Sequence, residues 1–142
     1  MPTRNQPAPH PKRPKAESGA ALKHFRWKDV EVEQLNPLFE RQLIVGDKLM
    51  LSRIVLRKGF VVPLHHHENE QLSYIVEGAL RFTIEGRDIV VRSGEVLCIP
   101  PNLPHQAEAL EDTLDFDIFY PPRADWLART DAYLRGGRKG RS

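Results

Sequence analysis

Three histidines stand in succession at His65, His66 and His67, with Glu68, Glu70 and Gln71 just after them, and His105 stands further on in "PPNLPHQAE". Imidazoles, carboxylates and amide oxygens are the ligand types of divalent metals, so a metal centre is the chemistry to consider. His65 and His67 are two apart, and on one strand they would share a face while His66 pointed away. Taken singly, each of these histidines has a surface or capping role as its ordinary alternative. A closed barrel would gather His65, His67, Gln71 and His105 as ligands, because its inner face collects side chains from strands far apart in sequence. Glu70 takes the place of Gln71 if the bend before it is read one residue differently.

Such a site needs strands to hold it. From Glu40 onward the runs "RQLIV", "KLMLSRIVLRKG", "QLSYIVEG", "ALRFTIEG", "RDIVVRSG", "EVLCIPP" and "TLDFDIFYPP" are short, rich in β-branched or aromatic residues, and mostly closed by Gly or Pro. Gly46-Asp47 between the first two marks a hairpin. Regular strands with no helix between them predict an all-β antiparallel sandwich or barrel. Near the end the period changes. In "ADWLARTDAYL" the residues Trp126, Leu127, Thr130, Tyr133 and Leu134 trace one face of a short C-terminal helix, stopped by Gly136-Gly137, that would pack outside the sheets or on a partner subunit.

The chain of 142 residues is long enough for one domain with a real core, taken as 22–134 between a basic, Pro-rich tail at 1–21 and a basic tail at 135–142. Both tails are expected to be disordered. The formal charge of +2 is carried by those ends: Arg4, Lys12, Arg13 and Lys15 oppose only Glu17, Arg135, Arg138, Lys139 and Arg141 oppose no acid, and the stretch between is acidic. No aromatic residues are interleaved with the basic ones, so solvation rather than a nucleic-acid partner is the expectation. No run is long enough for a secretory signal or a membrane span, so a cytoplasmic location is expected. The single cysteine, Cys98, excludes an internal disulfide framework and is expected to be a buried structural thiol in "EVLCIP". Residues 22–40, with Phe25, Trp27, Val30, Val32, Leu35, Leu38 and Phe39, are too apolar for a free tail and would add an edge strand to the same or a neighbouring subunit. Covering sheet edges in this way favours a homodimer.

The glycine spacing carries a resemblance. Gly59, five residues, His65-x-His67, three residues, Gln71, six residues and Gly78 resemble the first motif of the cupin superfamily, with Gln where a Glu is usual. After fifteen residues, Gly94, five residues, Pro100-x-Asn102, two residues and His105 resemble the second, with Asn102 in place of its glycine and Ala109 in place of its asparagine. The resemblance implies a double-stranded β-helix, the jelly roll of the cupin barrel, with one divalent ion, nickel, zinc, manganese or iron, held by His65, His67, Gln71 and His105. A neutral amide in place of the usual carboxylate leaves the full charge on the ion, which favours a Lewis acid.

"RQLIVGDKLMLSRIVLRKG" and "DIFYPPRADWL" are similar to the matching parts of the small single-domain cupins of the pectin-degradation type, which linearise 4,5-unsaturated uronates. That likeness implies a cavity lined by Asp117, Phe119 and Arg123: an arginine clamp for the substrate carboxylate, an aspartate that moves a proton, and an apolar wall. The plainer alternatives are an Arg123 paired with Asp125 on the surface, a solvated Asp117 on an edge strand, and a Phe119 that is simply core. Three functions are in play: a metal-dependent isomerase or lyase acting on a small carboxylated sugar, a metal-dependent dioxygenase, and a non-catalytic module that binds a small molecule.

Overall fold

Between Phe39 and Tyr120 inward and outward residues alternate along most strands, which is what a sheet with one buried face requires. The computed structural model describes residues 21–136. Within them the strands are β1 (Glu33–Asn36), β2 (Phe39–Val45), β3 (Met50–Leu56), β4 (Val61–His65), β5 (Glu70–Glu77), β6 (Ala79–Ile84), β7 (Arg87–Arg92), β8 (Val96–Ile99), β9 (His105–Ala109) and β10 (Thr113–Tyr120). They form a six-stranded sheet, β1-β2-β3-β10-β5-β8, facing a four-stranded one, β4-β9-β6-β7, with every pairing antiparallel. This is the all-β jelly roll. Phe39, Ile54, Leu56, Phe60, Ile75, Leu80 and Phe82 fill the space between the sheets, each stabilising the fold by roughly 1.5–3 kcal/mol relative to an exposed side chain.

The β2–β3 hairpin turns at Gly46-Asp47 with Val45 opposite Met50. Gly78, at the β5–β6 corner, has φ +92, and a Cβ there would lie 2.5 Å from the Asp112 carbonyl oxygen, so only glycine fits. Asn102 has φ +65, the left-handed conformation that a glycine would take, and asparagine tolerates it better than most residues. Its backbone N–H donates to the His67 carbonyl at 2.7 Å, which ties the two histidine-bearing loops together. At the other end the Gly59 N–H donates to the Ala109 carbonyl and the Ala109 N–H to that of Phe60.

Several expectations need correction. His65 closes β4, whereas His67 lies in the loop beyond it, so they are not neighbours on one strand face. Cys98 is exposed, because Leu97 and Ile99 take the buried and half-buried positions of β8. The C-terminal helix is two short ones, α1 (Ala124–Leu127) and α2 (Ala132–Arg135), broken where Arg129 turns left-handed at φ 57. They do not lie on the outside of a sheet. Arg41, on the inner face of β2, grips Asp131 at 2.5 Å, and Asn36 holds the Leu134 carbonyl at 2.8 Å, so Trp126, Tyr133 and Leu134 are drawn onto the cavity between the sheets.

Residues 22–40 stay with their own chain. β1 adds an edge strand to β2, and Trp27 stacks on Phe116 across the outer face of the larger sheet. The tails expected at 1–21 and 135–142 fall almost wholly outside the described residues. Among the described residues, no helix is long and apolar enough to cross a membrane.

Candidate metal centre and its cavity

β4 and β9 pair with His65 opposite His105, and the loop after β4 returns His67 beside them. The ring centroids are 4.3 Å apart for His65 and His105, 5.0 Å for His67 and His105, and 5.4 Å for His65 and His67. One ligand nitrogen from each lies within 4.8 Å of the others. In each ring Nδ1 meets a backbone carbonyl: Pro63 at 2.8 Å for His65, Asn69 at 3.0 Å for His67, and Leu103 at 2.8 Å for His105. A carbonyl only accepts, so Nδ1 carries the proton and Nε2 offers its lone pair. Burial lowers the pKa of all three, His65 to about 3 and His67 to about 4, with the Arg123 charge and the neighbouring imidazoles acting in the same sense. Neutral imidazoles with the Nε2 lone pair directed inward are the ligand form.

Two atoms test whether a cation fits. His105 Nε2 is buried and has no hydrogen-bond partner. His67 Nε2 lies 3.1 Å from Gln71 Oε1, although neither atom has a proton to give when Nδ1 holds the ring's only one. The amide is not free to turn, since its nitrogen donates to Ser73 Oγ at 2.8 Å. Two lone pairs held against each other, next to a third that is orphaned, are explained by a positive ion among them, and the residues present fit one. Gln71 is the inward residue of β5, whereas Glu70 is exposed at the strand's outer face, so the amide and not the carboxylate stands by the histidines. His66, in the loop after β4, is exposed.

The same cavity runs inward from the histidines. Asp117 is on β10, the third strand from the sheet edge at β8, and is buried, which removes the reading of it as a solvated edge residue. Ser73 donates to its Oδ1 at 2.7 Å, and Gln71 approaches its Oδ2 at 3.5 Å. Two residues earlier on the same inner face, Asp115 lies between Ile54 and Ile75 with Oδ1 unpartnered. Burial pushes both carboxyls up, and the Asp117 charge pushes Asp115 further, so the pair resists carrying two charges. Phe119 is fully buried and meets the edges of His67 and Trp126 at 5.8 and 5.0 Å, making it at once core and cavity wall.

Arg123 does pair with Asp125, through Nε at 2.9 Å and Nη2 at 2.8 Å, but inside the protein rather than on its surface, with 1% of its area exposed. Its guanidinium lies 4.6 Å from the Trp126 ring centre and 5.1 Å from that of Phe119. Nη2 also donates to the Tyr133 hydroxyl at 2.6 Å. Burial raises the pKa of that hydroxyl. Asp115, Trp126 and Tyr133 line the site without having been singled out from sequence. Asp115 had a signal, since it shares strand parity with Asp117 and Phe119. Tyr133 had none, because its helical period speaks of packing alone.

Comparison with known proteins agrees with this geometry. A cupin domain model matches residues 52–119. The pectin degradation protein KdgF of Dickeya dadantii strain 3937 is 30% identical over 98 residues, covering 67% of this chain and 89% of that protein. Oxalate decarboxylase OxdC of Bacillus subtilis strain 168 is 29% identical over 105 residues, and the chain spans only 27% of its length. The solved structure of KdgF from Halomonas sp. is 28% identical with a TM-score of 0.69, covering 75% of this chain and 99% of that one.

Proposed function

The chain belongs to the cupin family, and from that premise we propose that it is an enzyme that isomerises a small carboxylated sugar at a single divalent metal, with a 4,5-unsaturated uronate as substrate. The observation that carries the reading is the convergence, at one cavity, of three clustered imidazoles, among them a His105 whose buried Nε2 has no partner, with a buried carboxyl pair and a buried guanidinium. His65, His67, His105 and Gln71 would hold the ion. When bound it supplies a Lewis acid that polarises substrate oxygens.

The remaining work falls to the chain. Arg123 anchors the substrate carboxylate through Nη1, since Nε and Nη2 are engaged by Asp125 and Tyr133, which with the two aromatic rings fix the guanidinium plane. Asp117 accepts the proton of the anomeric hydroxyl as the C1–O5 bond breaks, giving an aldehyde at C1 and an enolate at O5. The same carboxyl returns the proton to C4, leaving a 5-keto acid with no net gain or loss of atoms or electrons. One proton shared between Asp117 and Asp115 keeps the pair from carrying two charges in an apolar surround. Phe119 and Trp126 exclude water from the ring face.

KdgF is named for pectin degradation, which supports the uronate. The test is the decay of the ultraviolet absorbance of freshly generated 4,5-unsaturated uronate on adding metal-loaded protein, with Arg123→Ala beside it. Acceleration that the variant abolishes supports the assignment. No acceleration by metal-loaded protein rejects this substrate, and oxygen uptake would then distinguish a dioxygenase from a binding module.

We further propose that the protein is a homodimer formed through the outer face of its six-stranded sheet. There Ile44, Leu51, Ile118, Leu72 and Cys98 are aligned across five strands, with Phe116, Tyr74 and Val96 in the next row. With strands about 4.8 Å apart the face covers roughly 500 Å², hence about 1,000 Å² in a pair, the threshold at which an interface becomes specific and the size of a weak dimer contact. Sedimentation at micromolar concentration tests it, and a monomer would refute it.

A further inference from the structure

Tyr133 lies beyond the cupin-matched segment, on α2, yet its ring faces His65 at 4.8 Å and it lines the same cavity as Arg123. Its hydroxyl oxygen already accepts two hydrogen bonds, from Arg123 Nη2 at 2.6 Å and from Trp126 Nε1 at 3.2 Å. A phenol oxygen has two lone pairs and one proton. Both lone pairs are used, so the proton is left to donate, and no acceptor among the described residues takes it. Donation from the cation on one side and from the indole on the other makes that O–H a stronger donor. It also points the group at an acceptor, not a donor.

We propose that Tyr133 is a second substrate-binding residue, which donates its hydroxyl proton to the same carboxylate that Arg123 holds. Two adjacent donors, one of them charged, match the two oxygens of a carboxylate and would leave one without a partner in a neutral ester. The segment from Arg123 to Arg135 is thus a recognition strap, fixed by Arg41 and Asn36 and carrying both halves of the anion clamp. This inference rests on the reading of the ligand as a small carboxylic acid, but not on turnover.

The test is affinity, measured by calorimetry on the full-length, metal-loaded protein with galacturonate and its methyl ester as stable probes. Wild type should prefer the acid. Tyr133→Phe retains the ring, and is expected to weaken binding of the acid roughly tenfold, the scale of one charge-assisted hydrogen bond, while changing that of the ester less than about twofold. Arg123→Ala should erase the preference. An unchanged acid-to-ester ratio in Tyr133→Phe, with Arg123→Ala still erasing it, assigns Tyr133 to packing and overturns the proposal. A wild-type protein that does not discriminate acid from ester rejects the carboxylate reading itself and the proposal with it. A melting temperature of Tyr133→Phe close to wild type confirms that the ratio reports recognition and not loss of fold.

Discussion

The two faces of β10 reverse the usual arrangement of an antiparallel strand. Its inward residues are Thr113, Asp115, Asp117 and Phe119, two of them carboxylates; its outward ones, Leu114, Phe116 and Ile118, are apolar and only half-buried. A strand serving stability alone would place these sets the other way round. Acids inside cost desolvation, and an apolar row outside leaves surface that water disfavours. The inversion fits the two proposals made for this strand, a chemical site within and a contact surface without.

That contrast is broken most completely on the inner side at the histidines. His105→Ala removes a lone pair that no protein donor satisfies. Divalent-ion affinity should fall by more than the roughly 10–100-fold seen for partners outside the ligand set, read by equilibrium dialysis, and activity should fall with it. If metal uptake survives unchanged, the histidines do not form the centre. On the outer side, Phe116→Asp places a charge in the middle of the apolar face, against Trp27 and Tyr74. Sedimentation should show a monomer while metal uptake stays that of wild type. Loss of both together would mean the two faces are not independent.

How far the faces could be read beforehand follows from their residues. The larger sheet announced itself through Val, Ile, Leu and Phe at alternate positions, and the Gly46-Asp47 hairpin was legible for the same reason. β4 and β9, which carry His65 and His105, gave no such sign: "VVPLH" contains Pro63, and "HQAEA" has small and polar residues where a strand usually has branched ones. Their pairing is imposed by the barrel, and only the spacing of glycines and histidines pointed to it. The motif spacing favours Gln71 over Glu70, and the inward parity of β5 supplies the physical reason. The fate of the C-terminal segment was not legible, since the contacts that fold it over the cavity, Arg41 with Asp131 and Asn36 with Leu134, join residues about ninety positions apart.

The inner face should also show itself in the pH dependence of the metal-free protein. In the unfolded chain the histidines titrate near their ordinary value of 6.5, whereas in the fold His65 does so at about 3 and His67 at about 4. Between those values the unfolded state binds more protons, so stability rises with pH there. The histidine contribution is complete above 6.5 and is lost as pH falls toward 3. The raised carboxyls act in the opposite sense, contributing fully below about 3.8 and less as pH rises through their folded values. Melting temperature is expected to drop from pH 6.5 to 4, and His65→Leu to flatten that drop. A profile that His65→Leu leaves as steep as that of wild type would mean that His65 is not held neutral in the folded protein.

The smallest effect should come from Asp115, and its sign is informative. The carboxyl lies between Ile54 and Ile75, with one oxygen unpartnered in an otherwise apolar part of the cavity. An apolar side chain there removes a desolvation cost, so Asp115→Leu is expected to stabilise the protein by about 1–2 kcal/mol, in the way that apolar replacements of buried polar groups do. A rise in melting temperature with a fall in turnover would mark Asp115 as held in place for chemistry at the expense of the fold. A fall in both would make it a structural partner of Asp117, and the inversion of β10 would then reflect packing on its inner face and contact only on its outer one.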